Sequence, residues 1–247
     1  MGIEHPLAAV LRILGGFGPP IAGILLTYLT TDRDGWRDYW RRVIDFKRIS
    51  PIWYAVIFLG LPLLTILAML LSKDPSTSSP TVFEHAIHLL ENPLALIPFL
   101  LATLVIGPIP EELGWRGYAQ DSLQRRFNAL TSSLILGVLW ALWHLPLYFI
   151  AGTFQYSLGF GSGLFWLMMV SMLPQSVLFT WIYNNTQRSI LSAILFHFVI
   201  NFSGEFFSPA PTARAYQTAM LVLAAILVVI IWRPKTLTNY AENPKER

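Results

Sequence analysis

The sequence predicts an all-α fold, a polytopic transmembrane helical bundle of about seven spans with a polar intramembrane cavity. Three observations carry that expectation. Of the 247 residues, 54% are hydrophobic and 13% charged, and the mean hydropathy is +0.54. Soluble domains carry about a quarter charged residues, so this chain has too little polar surface to coat a water-soluble globule. Apolar runs of about 20 residues, long enough to cross a bilayer, recur along it. A few ionisable side chains interrupt those runs, where they are costly unless they face a bundle interior.

The first run, 6–31, is broken by "GGFGPP". A basic stretch follows at 32–50, in which Trp36, Tyr39 and Trp40 form an interfacial anchor beside the arginines. Further spans are expected at 51–72, 93–113, 128–150, 163–185, 188–205 and 215–232. Between the second and third lies a Ser/Pro-rich loop, "SKDPSTSSP". None of the runs alternates polar with apolar residues, so helices are expected rather than a barrel. The whole of 1–247 reads as a single integral membrane domain, with 234–247 as a polar cytoplasmic tail.

The loops set the expected orientation. Segments 32–50, 114–127, 186–188 and the tail from Arg233 hold fourteen Lys or Arg, and Arg12, Lys73 and Arg214 are the three on the other side. With seven spans, the N-terminus is then outside and the C-terminus cytoplasmic, in the cell's cytoplasmic membrane. The net charge of +3 reports this loop asymmetry and not nucleic-acid binding; the expected partners are the lipid bilayer and a peptide or protein substrate. The absence of cysteine excludes disulfides, thiolate catalysis and Cys-ligated metals. The first apolar stretch has neither the basic leader nor the small-residue cleavage site of a removable signal peptide.

Four places break the apolar pattern: Glu111 and Glu112 with Arg116, then His144, then His197 with Asn201, then Glu205. Residues four apart share a helix face, so Glu112 can pair with Arg116. Glu111 is rotated about 100° away and is left for chemistry as a general base. Taken alone, Pro110 followed by two glutamates is also an ordinary first turn of an interfacial helix. A lone buried His144 is equally at home as a hydrogen-bonded core residue, although Pro146 frees backbone groups beside it. His197 and Asn201 share a face; they are either an oxyanion-stabilising pair or an interhelical hydrogen-bonding pair.

Together these are the parts of a water-activating hydrolase, and two mechanisms fit them. In one, Glu111, His144 and His197 ligate a divalent metal such as zinc, which activates water. In the other no metal is needed: Glu111 and His144 activate water, and His197 with Asn201 holds the oxyanion. The zinc-protease signature HExxH is missing. "FEHAIH", with Glu84, His85 and His88, matches no trusted metal spacing, and Pro174-Gln175 marks a kink with a polar group near the site. Convergence sets a condition. A third span running straight from Pro93 puts Glu111 about 27 Å along it, whereas His144 lies about 24 Å along the antiparallel fourth span from Asn128. They meet only if the third helix continues toward Leu123.

"EELGWRG", then "WALWH", then "FHFVIN" resembles the CPBP family, the CAAX-protease and bacteriocin-processing (ABI-type) membrane proteins, whose motifs read EExxxR, FxxxH and HxxxN. Trp140 stands where the family usually has Phe. The resemblance is close over 100–203. It implies an intramembrane endopeptidase, of the kind often described as a metalloprotease, that cuts a lipidated or bacteriocin-like membrane-associated substrate. Glu111 would be the water-activating base, His144 its partner, His197 and Asn201 the oxyanion stabilisers, and Glu112 and Arg116 supporting residues. A non-catalytic immunity or interaction protein with the same fold and a proton-coupled transporter are the alternatives.

Overall fold

The structure, a computed structural model, describes residues 6–72, 87 and 91–238. Among them the chain forms helices and no strand. Prolines at first helical positions and polar caps mark the starts. Helix α1 is Pro6–Thr30, and α2 is Arg33–Ile44, capped by Asp32 accepting from the Gly35 amide at 2.9 Å. Pro51 opens α3, Pro51–Ser72; Pro93 opens α4, Pro93–Ile106; Pro108 opens α5, Pro108–Gly114. A π-helical turn, Trp115–Ala119, joins α5 to α6, Gln120–Gln124. Asn128 caps α7, Ala129–His144, through the Thr131 amide at 2.8 Å. Pro146 converts the end of α7 into a 3-10 turn, Leu145–Phe149, before the short α8, Phe154–Leu158. Ser162 and Ser189 cap α9, Gly163–Asn185, and α10, Ile190–Phe207, and α11 is Pro211–Trp232.

Among the described residues six helical runs are long and apolar enough to cross a membrane: Pro51–Ser72, Leu94–Gln124, Ala129–Phe149, Gly163–Asn185, Ile190–Phe207 and Pro211–Trp232. They coincide with six of the expected spans. The other, 6–31, is α1, a helix of 25 residues that is not among these six. The third span does not stop at 113. It continues through α5, the π-turn and α6 to Gln124, which meets the condition for convergence. The "FEHAIH" and "SKDPSTSSP" segments, apart from Ile87 and Ser72, lie outside the described residues, as does 239–247.

Helix α9 is the most buried of the six and packs against α7, α10 and α11. Its Phe179 and Ile182 join Ile57 of α3, Trp140 of α7 and Phe196 of α10 in the main core. Lipid is the natural solvent for the outward side chains, among them Leu70, Ile106 and Ile230, which are exposed and apolar. Helices α1 and α5 touch backbone to backbone. A Cβ placed on Gly23 would lie 2.6 Å from the Leu113 carbonyl oxygen and 2.7 Å from the Gly114 Cα. Only glycine permits that approach, and it clamps the helix that carries both glutamates.

The end of the bundle rich in arginine is closed by polar side chains. Arg42 of α2 donates to Asp121 at 2.8 Å and to the Tyr183 hydroxyl at 2.6 Å, and Tyr183 donates to Asp121 at 2.9 Å. Arg188 also pairs with Asp121. Burial alone would favour a neutral Arg42, but Tyr183 and Asp121 more than offset it and hold its pKa above the ordinary arginine value. The first part of the expected tail is packed: the amides of Ala129 and Leu130 donate to the Lys235 and Pro234 carbonyls at 2.9 and 3.0 Å, and Leu237 is buried.

Candidate active site

Five of the predicted residues, Glu111, Glu112, Arg116, His144 and His197, are buried at one place in the bundle, and Asn201 lines the same cavity. The third span contributes the first three. Its break at Gly107 lets α5 start afresh at Pro108, and the π-turn widens the helix just after Glu112; such turns recur at functional sites because they re-aim side chains. A Cβ on Gly107 would lie 3.3 Å from the Asn201 amide nitrogen and 3.7 Å from Glu111 Oε1. The missing side chain therefore leaves room beside both groups.

Glu112 and Arg116 pair as their spacing predicts, both fully buried. Arg116 Nη1 donates to Glu112 Oε1 and Oε2 at 3.1 and 3.0 Å. The guanidinium lies 3.8 Å from the centre of the Phe179 ring, a cation–π contact in a desolvated setting. Glu112 has a second partner that the spacing does not reveal, His197 Nδ1 at 2.7 Å. A carboxylate paired with arginine accepts, so Nδ1 carries the proton and Nε2 is left for the cavity.

Glu111 takes a different partner. Its Oε2 accepts from the Trp140 indole N–H at 2.7 Å. The Trp140 carbonyl in turn accepts from His144 Nδ1 at 2.9 Å, which leaves His144 Nε2 for the cavity. The Trp140 ring stands between the two histidines, 5.6 Å from His144 and 5.5 Å from His197 by centroids. Sequence reasoning placed Trp140 in the motif but missed its hydrogen bond, because the FxxxH pattern carries no donor at that position.

The cavity has a volume of about 480 Å³. Gln175, marked in the sequence by its proline neighbour, lines it and donates to Ser171 at 3.1 Å. Glu205 and Arg214 line its far end, beside α8. Among the described residues, none that lines it comes from the arginine-rich end of the bundle. Among the described residues no three His, Cys, Asp or Glu side chains are grouped to hold a metal. The trio Glu111, His144 and His197 is not so grouped in this arrangement, although each keeps one nitrogen or oxygen uncommitted to the protein partners named above.

A buried carboxylate, two imidazoles with one free nitrogen each and a side-chain amide line a common cavity within a helical bundle, and these are the groups to look for in a candidate hydrolase site. Comparison with known proteins agrees. Residues 93–203 match the Rce1-like type II CAAX prenyl endopeptidase family. The chain is 30% identical over 226 residues to CAAX prenyl protease 2 of Methanococcus maripaludis, covering 90% of this chain and 81% of that protein. The chain belongs to the Rce1-like CAAX prenyl endopeptidase family, and it is a CAAX-protease-like intramembrane peptidase. These matches favour the peptidase over the immunity-protein and transporter alternatives.

Proposed function

We propose that this peptidase removes the carboxyl-terminal residues of a lipid-anchored peptide, cutting after a prenylated cysteine, with water activated by Glu111 and no metal in the chemical step. The observation that carries this reading is the division of labour between adjacent carboxylates. Glu112 is consumed by Arg116 and His197, whereas Glu111 lines the cavity and commits only Oε2, to Trp140, among the described residues.

Glu111 Oε1 and His144 Nε2 hold the attacking water and share its orientation. Glu111 takes a proton as the water oxygen bonds to the scissile carbonyl carbon. His197, donating from Nε2 with Glu112 as its counter-ion, and the Asn201 amide hold the oxyanion. Collapse of the tetrahedral intermediate breaks the C–N bond, and the proton held by Glu111 passes to the leaving amine. Arg116 and Glu112 act on the reaction through His197.

The loop charges support a C-terminus on the cytoplasmic side of the cell membrane. The arginine-rich end is then cytoplasmic and is plugged by Asp121, Arg42 and Tyr183. Entry from the bilayer, rather than through that end, fits the lining of the cavity: a lipid-anchored chain slides in sideways and runs its last residues toward Arg214. The test is purified protein with a farnesylated peptide, with and without chelator, followed by mass spectrometry. Release of the terminal tripeptide in both samples is expected. Loss of activity on chelation, with recovery on adding zinc, would overturn the metal-free step.

A further inference from the structure

We infer that Arg214 forms an anion subsite at the far end of the cavity, where it receives the free C-terminal carboxylate of the peptide being cut. This rests on the function proposed above and adds the group by which the substrate's end is recognised. Arg214 is the only Lys or Arg among the described residues lining the cavity. It is partly buried, and it makes no ion pair with any described carboxylate. Its Nε is anchored by donating to the Pro209 carbonyl at 3.0 Å, and its guanidinium carbon lies 5.8 Å from the centre of the Phe154 ring. That leaves its terminal nitrogens, the fork that fits a carboxylate, without a protein partner among the described residues.

The location is otherwise unfavourable for a cation. Arg214 sits in the first turn of α11, where the helix dipole favours negative charge. An anion bound there gains from both the guanidinium and the helix terminus. The location also suits the substrate, since Arg214 lines the same cavity as His197 and Asn201. The bland alternative is an arginine that reaches for lipid phosphate at the membrane surface, which predicts no dependence on the peptide's end group.

The test compares a farnesylated peptide with a free C-terminus against the same peptide ending in an amide, using the full-length protein in nanodiscs. Wild type is expected to favour the acid by about 10-fold or more in kcat/KM, mainly through KM. Arg214→Gln is expected to bring that ratio close to one, and Arg214→Lys to an intermediate value, since lysine keeps the charge without the fork. The ratio is internal to each variant, so a reduced folded fraction does not disturb it. A wild-type ratio near one, or a wild-type ratio retained by Arg214→Gln, overturns the subsite while tripeptide release leaves the proposed function standing. Failure of wild type to cut either peptide overturns the proposed function, and the subsite with it.

Discussion

The Trp140 indole donates to Glu111 across two helices, at 2.7 Å from Nε1 to Oε2. The same residue's carbonyl accepts from His144, so one tryptophan fixes both members of the proposed water-activating pair. Trp140→Phe keeps a ring in the core and removes only the N–H. Kcat is predicted to fall about 3- to 10-fold, the worth of one net hydrogen bond, with little change in Tm. An unchanged kcat in steady-state assays would mean that the bond does not position Glu111.

Glu112 is predicted to matter more to stability than Glu111 does. Glu112→Gln leaves Arg116 charged, fully buried and without its counter-ion. Breaking a buried pair from one side costs about 3–5 kcal/mol, and His197 loses its acceptor carboxylate as well. Thermal denaturation in detergent should show a marked fall in Tm together with loss of activity. A variant as stable as wild type would contradict the assigned pairing.

Helix α1 is predicted to hold the glutamate helix in place through a single crossing. Any Cβ on Gly114 meets the Pro19 backbone. Gly114→Ala must therefore displace α1 or α5, and overpacking of this kind costs about 1–3 kcal/mol. Both Tm and kcat should fall. Retention of full activity would show that the crossing does not position the site.

High pH offers a test of α2. Tyr39 is fully buried and donates to the Leu113 carbonyl at 2.9 Å. Burial raises its pKa above the ordinary value of 10.0, with Arg42 pulling the other way. The folded state therefore keeps the phenol proton where the unfolded chain releases it. The contribution is fully present below pH 10 and is lost progressively as pH rises beyond it. Tm measured from pH 8 to 11 should drop less steeply for Tyr39→Phe than for wild type; parallel curves would contradict this.

Most of the fold was legible because membrane spans declare themselves by length and polarity, and the Glu112–Arg116 pair followed from helical spacing alone. Other features were hidden for physical reasons. The continuation of the third span to Gln124 is polar on the faces that other helices cover, so hydropathy ends it early near Glu111. The His197–Glu112 and Trp140–Glu111 bonds link residues 85 and 29 positions apart, and no local pattern encodes such contacts. Asp121 and Arg42 looked like loop charges in the sequence, yet they are buried partners at 2.8 Å. The glycines at 23 and 114 read as ordinary small residues until the two backbones are seen to meet.

The central claim is that Glu111, and not its neighbour Glu112, activates the water. Glu111→Gln keeps an oxygen for the Trp140 indole, so the fold should be preserved. Tripeptide release from a farnesylated peptide, followed by mass spectrometry at matched Tm, is predicted to fall by about 10²- to 10⁴-fold or more, as for loss of a general base. Release at the wild-type rate by Glu111→Gln would contradict the account.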